Sequence, residues 1–80
     1  MPRILHLFTA GPPDMALSVI ERQCREPGAT VTVVLLPGAH VPPLPAAVTV
    51  RRLAEEGREG DLTYSGLLDL IFSADSAVSW

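Results

Sequence analysis

The longest apolar segment of the chain predicts a buried β-strand. Residues 30–36, T-V-T-V-V-L-L, are β-branched or leucine without a charge, and Pro37-Gly38 ends the run. A strand exposed on one face would alternate apolar and polar residues, so this run is typical of a strand covered on both faces. A similar run at residues 3–8 predicts a first strand earlier in the chain.

Two further segments have the apolar spacing of helices. The first helix is predicted to begin near Pro13 or Asp14 and to end before Pro27-Gly28, since proline and glycine together stop a helix. A strand, a helix and a strand within about thirty residues form a βαβ unit. The last helix is predicted from apolar residues at i, i+3, i+4, i+7 and i+8, namely Tyr64, Leu67, Leu68, Ile71 and Phe72.

These elements predict an α/β fold in one domain over residues 1–80: a small parallel sheet of three or four strands with helices on both faces. Residues 47–51 are the predicted third strand and residues 62–63 a short fourth one. The strand order 2-1-3-4 is expected by analogy with doubly wound folds. Four prolines between residues 37 and 45 predict a stiff loop instead of a helix before the third strand. Residues 52–56 predict one or two helical turns, and residues 77–80 a strand-like tail.

Composition favours a subunit that completes its core against another chain. A chain of 80 residues buries a modest share of its surface, yet 48% of the residues are hydrophobic, so apolar area should stay exposed in a monomer. The net charge of −3 argues against direct nucleic-acid binding through a basic face. No signal peptide or membrane span is expected, and the predicted location is cytoplasmic.

Cys24 is the single cysteine and the only candidate nucleophile. It lies near the end of the first helix, where the helix dipole disfavours a thiolate, and on that helix's apolar side. We therefore favour a structural cysteine, while a sulfur-carrying Cys24 stays open as an alternative. One cysteine and two histidines predict no metal site and no cofactor, and an enzyme is less expected than an accessory subunit.

Ligands of open α/β sheets bind beyond the carboxyl ends of the strands. This places His40, Arg51 and Arg52 as possible ligands of a small anion, although the two arginines could instead be solvated or pair with Glu55 and Glu56. His6, inside the first strand, is expected to be a hydrogen-bonded core residue. The expected interface with other chains is apolar and aromatic, and comprises Tyr64, Leu67, Leu70, Ile71 and Trp80.

Several short motifs resemble the DsrH/TusB-like subunits of the DsrE/DsrF/DsrH sulfur relay family. I-L-H-L-F-T-A-G-P at Ile4–Pro12 is similar to the family's opening I/L-L-H-x-x-x-x-S-P, and V-V-L-L-P-G-A at Val33–Ala39 to its L-L-L-x-D-G-x. L-A-E-E-G-R-E-G at residues 53–60 looks like a shortened L-x-x-D-L-x-A-R-G. L-T-Y-S-G-L-L-D-L at Leu62–Leu70 resembles I-D-Y-x-x-F-V-x-L, and a tryptophan follows at Trp80.

The resemblance implies a DsrE/DsrF/DsrH-like fold and a non-catalytic structural role in a heteromeric sulfur relay complex. Such complexes pass persulfide sulfur in tRNA 2-thiouridine synthesis or in sulfur oxidation. The implied partners are DsrE/TusD-like and DsrF/TusC-like subunits, or copies of the chain itself. Some DsrH-type subunits carry a cysteine in the first helix; that position is Glu21 here, and Cys24 follows one turn later.

Overall fold

The computed structural model describes residues 2–9, 14–40, 42–53 and 62–80. The turns predicted at residues 52–56 fall mostly outside these ranges, as does Pro13 at the predicted start of the first helix. The described elements, in chain order, are β1 (Arg3–Phe8), α1 (Asp14–Cys24), β2 (Thr30–Leu35), β3 (Thr49–Arg52), α2 (Tyr64–Ser73) and β4 (Ser76–Ser79).

The four described strands form one parallel sheet in the order β3-β2-β1-β4. The predicted α/β class with a small parallel sheet is therefore confirmed, whereas the predicted order 2-1-3-4 is wrong. β3 pairs with β2, because a short proline-rich connection leads from one to the other and neighbours in sequence tend to pair. The free side of β1 is taken by β4.

The fourth strand is also not the predicted one. Leu62 makes a single parallel bridge to Leu53, in which its N–H donates to the Arg52 carbonyl at 2.9 Å. The tail predicted at residues 77–80 to be only strand-like contributes most of β4, which is Ser76–Ser79. The chain after α2 can reach β1 because only Ala74 and Asp75 separate the helix from the strand.

Side chains of β1 and β2 divide between two apolar clusters. Phe8, Val33 and Leu35 pack with Ala16 and Ile20 of α1. Residues of the alternate strand positions form the second cluster with α2: the buried members are Leu5, Val34, Leu62 and Leu67. Successive residues of a strand point to opposite faces, so the two clusters draw on opposite faces of the sheet. How completely the helices cover both faces stays a prediction.

The proline-rich connection contributes to the first cluster although it contains no described helix. Leu44 and Val48 are partly buried against it. The segment therefore covers part of the face that a crossover helix covers in longer α/β domains. Within the described ranges, α1 and α2 are both too short to cross a membrane.

Gly38 closes the turn after β2. The Ala39 N–H donates to the Leu36 carbonyl at 2.9 Å, and Gly38 has φ +90°. Pro37 and Gly38 therefore occupy the two central positions of a type II turn, whose second central residue needs a positive φ.

Substituting Gly38→Ala is expected to lower the free energy of unfolding by about 1–2 kcal/mol, measured by urea denaturation. Nothing lies within 4 Å of the added methyl group, so the cost is conformational and not a clash. The control is D-alanine at position 38, introduced by chemical synthesis, because a D-residue prefers positive φ. Equal losses for both alanines would contradict this account.

Candidate functional site

The most exposed apolar surface of the described chain lies on α2. Tyr64 is 70% exposed, Leu68 39% and Phe72 84%. These residues are spaced at i, i+4 and i+8, which confines them to about 80° of the helix circumference. We call Tyr64, Leu68 and Phe72 the outer stripe. Burying three such side chains against another molecule would remove a large apolar area from water.

Local interactions fix where α2 begins and how it faces the sheet. The Thr63 hydroxyl accepts a hydrogen bond from the Gly66 N–H at 3.0 Å, as an N-cap does. Leu67 is buried against Leu5 and Val34 of the sheet. The outer stripe therefore cannot turn inward without removing Leu67 from the core.

A pocket shows which flank of α2 carries the outer stripe. The pocket has a volume of about 210 Å³ and lies between α2 and the amino ends of β1 and β2, with Leu70, Ser73 and Thr32 in its lining. Leu70 and Ser73 are roughly 140–160° around the helix from Leu68. The outer stripe is thus on the flank of α2 that faces away from β2, on the side of β4.

Among the described strands, β4 forms one edge of the sheet and has no strand on its outer side. All four of its residues are exposed, and Ser76–Ser79 contains neither a charge nor a proline. Its inner side pairs with β1, and beyond its last residue the Trp80 N–H donates to the Leu7 carbonyl at 2.9 Å. Edge strands usually carry charges or prolines that discourage pairing, so this edge is unusually permissive.

A partly buried chain of hydrogen bonds connects the residue after β4 to the core. His6 is fully buried in β1, and its Nδ1 accepts a hydrogen bond from the Trp80 indole N–H at 2.9 Å. Because indole N–H can only donate, Nδ1 carries no proton, and in the neutral ring the proton is on Nε2. His6 Nε2 then donates to the Gln23 side-chain oxygen of α1 at 2.7 Å. His6 is thus the core histidine predicted from the sequence, and it connects α1, β1 and the segment after β4.

The predicted anion ligands are not assembled into one site by the described contacts. His40, Arg51 and Arg52 are all exposed near the carboxyl ends of β2 and β3. Arg51 and Arg52 are consecutive in a strand, so their side chains leave opposite faces of the sheet. The alternative pairing with Glu55 and Glu56 lies outside the described residues.

Cys24 is half-buried at the end of α1, against the first cluster. Burial raises the pKa of its thiol, and the Glu21 carboxylate raises that pKa further. The raised pKa keeps the thiol mainly in its protonated form at neutral pH. Since the thiolate is the nucleophile, this environment favours the structural reading over the sulfur-carrying one.

The slow reaction of Cys24 with a disulfide reagent at pH 7 is expected to accelerate on the order of twofold in Glu21→Gln, because removing the carboxylate lowers the pKa of the thiol. The rate should rise with pH into the alkaline range, as the thiolate fraction grows. Glu26→Gln is the control and should leave the rate unchanged. Rapid modification at pH 6 would contradict the raised pKa.

Of the predicted interface residues, only Tyr64 belongs to the outer stripe. Leu67 is part of the chain's own core, Leu70 and Ile71 are half-buried beside it, and Trp80 is bonded to His6. The set predicted from the sequence omitted Leu68 and Phe72. Both were visible in the apolar spacing of the helix, but spacing alone does not say which side of a wide stripe meets the sheet.

No group of three metal-binding side chains is present within the described ranges. Comparisons of the chain with protein-family models, curated proteins and solved structures found no match.

Proposed function

We propose that this chain is a non-catalytic structural subunit of a cytoplasmic heteromeric complex of the sulfur relay type. The observation that carries the proposal is the outer stripe, in which Tyr64 and Phe72 are both at least 70% exposed on a helix with a well-packed inner side. Large apolar patches of this kind mark protein–protein contacts. The resemblance to DsrH/TusB-like subunits supplies the class of partner: DsrE/TusD-like and DsrF/TusC-like chains.

The chemistry of the described residues supports a structural role over a catalytic one. The only thiol has a raised pKa, and the cationic side chains of β3 point to different faces of the sheet. A raised pKa makes the thiol a weaker nucleophile at neutral pH, and cationic side chains on different faces do not form one anion site. The chain would contribute surface to the complex, and the sulfur-carrying cysteine would belong to a DsrE/TusD-like partner.

The proposal is tested by co-expressing the chain with DsrE/TusD-like and DsrF/TusC-like subunits and measuring complex formation by sedimentation velocity. Phe72→Glu is expected to weaken the complex at least about tenfold, since it places a charge in a desolvated contact. Met15→Glu is the matched control, because Met15 is 68% exposed on α1, away from the outer stripe. Failure of the unsubstituted chain to bind either subunit would overturn the proposal.

Mass spectrometry after incubation with a persulfide donor separates the structural role from the sulfur-carrying alternative. We expect no gain of a sulfur atom on this chain while the partner cysteine is loaded. A stable adduct that is lost in Cys24→Ala would establish the alternative instead.

A further inference from the structure

We infer that the open edge of β4 and the outer stripe form one self-complementary surface, whose occupant is a second copy of this chain. The inference rests on the proposed docking role of α2 and deepens it: the outer stripe is buried between two copies of this chain, and the DsrE/TusD-like and DsrF/TusC-like subunits bind the resulting dimer. Both features lie on the same side of the molecule: β4 is the edge strand next to β1, and the outer stripe is on the flank of α2 that faces away from β2.

A two-fold axis perpendicular to the sheet would bring β4 and the outer stripe of one copy into contact with the same features of the other copy. Such an axis sets two β4 strands side by side and antiparallel, which extends the sheet across the two copies. It also keeps both α2 helices on the same face, with one outer stripe against the other. When each copy uses the same patch, the assembly is a closed dimer and adds no further subunits through that patch.

The backbone of β4 defines the register of this pairing. The Trp80 N–H points to β1, where it is bonded to the Leu7 carbonyl. Backbone groups of successive strand residues point to alternate sides, so the N–H and C=O groups of Ala77 and Ser79 point outward. An axis through Val78 lets Ala77 of one copy exchange both backbone hydrogen bonds with Ser79 of the other. The two Val78 residues then form a close pair without hydrogen bonds between them.

The side chains around this axis fit close approach. Ala77 and Ser79 are small and uncharged, and they sit on the face that carries α2, so the helices can approach above them. Val78 is 37% exposed, on the other face, and would be covered by its symmetry mate. Asp75 lies just before β4. The antiparallel arrangement places the two Asp75 residues at opposite ends of the paired strands, so their carboxylates are too far apart to repel each other strongly.

Sedimentation equilibrium of the isolated chain is expected to show a monomer–dimer equilibrium. Ala77→Pro removes an outward N–H and leaves the hydrogen bonds to β1 in place. It should therefore raise the dissociation constant of the dimer at least about tenfold. Ala77→Thr retains the N–H and is the matched control. Phe72→Glu should also dissociate the dimer, whereas Met15→Glu should not.

Cysteine cross-linking tests the register even where Ala77→Pro disturbs folding. In a Cys24→Ala background, Val78→Cys is expected to form an intermolecular disulfide in air, because Cβ atoms of such a pair lie about 4.5–5.5 Å apart. Ser76→Cys is the control: its symmetry mate would be roughly 13 Å away along the strands, too far to bridge.

The outcomes separate this inference from the proposed function. A chain that stays monomeric, yet binds DsrE/TusD-like or DsrF/TusC-like subunits, would overturn the inference and leave the function standing. A dimer in which Ser76→Cys cross-links as readily as Val78→Cys would likewise overturn it. A dimer that forms the Val78→Cys bridge but binds neither subunit would support the inference and remove the relay role.

Discussion

Replacing Phe8 by alanine is expected to lower the free energy of unfolding by about 3–5 kcal/mol, measured by urea denaturation. Phe8 is fully buried in the first cluster, between the strands and α1. The loss combines the transfer of an aromatic ring with the cavity that remains. Domains of this size have a total stability of only about 4–12 kcal/mol, so the variant should be largely unfolded in mild urea.

The chain contains its own control, since its only other phenylalanine is Phe72. Phe72→Ala makes the same chemical change at a side chain that is 84% exposed. At protein concentrations low enough to keep the chain monomeric, it should change stability by no more than about 0.5 kcal/mol. Similar losses in both variants would show that Phe8 is not in the core described above.

Replacing His6 by leucine is the second large effect and is expected to cost about 2–3 kcal/mol in the free energy of unfolding. Leucine fills much of the same volume but leaves the Trp80 indole N–H and the Gln23 side-chain oxygen without their partner. Trp80 is the only tryptophan, so its fluorescence reports directly on this contact. We expect the emission of His6→Leu to shift to longer wavelength as the indole becomes more solvated.

A triple variant distinguishes lost hydrogen bonds from a general packing defect. His6→Leu, Gln23→Leu and Trp80→Phe together replace every partner by an apolar group, which should recover at least half of the loss seen in His6→Leu alone. His40→Leu, at the other and exposed histidine, is the control and should be nearly neutral. If the loss in the free energy of unfolding of the triple variant equalled the sum of the losses of the three single variants, the hydrogen-bond explanation would be contradicted.

Elements with strong local signals could be predicted from the sequence. The uncharged run of β2 and the apolar spacing of α1 each specify one structure, because Pro37-Gly38 and Pro27-Gly28 end them sharply. The order of the strands could not be predicted in the same way. Pairing of β4 with β1 joins residues more than seventy positions apart, and no local pattern encodes that contact.

The candidate site was predicted in part. Apolar residues on the last helix indicated an interface. Residues that face the sheet and residues that face a partner follow the same helical spacing, so the spacing does not separate the two sets. Which residues are left for a partner depends on how α2 lies on the sheet, and this is set by Leu67 against Leu5 and Val34. The role of Trp80 could not be predicted either, since its bond to His6 depends on β4 lying beside β1.

The two rims of the sheet differ in a way that limits assembly. β3 ends in Arg51 and Arg52, both exposed, whereas β4 carries no charge. Charged residues on an edge strand discourage pairing, and Leu62 already bridges the carboxyl end of β3, so a further strand is added less readily there than beside the serine and alanine of β4. Strand addition beyond the proposed dimer is therefore disfavoured. A particle of two chains ends in an arginine-bearing rim at both extremities, and fibrils of stacked sheets are disfavoured.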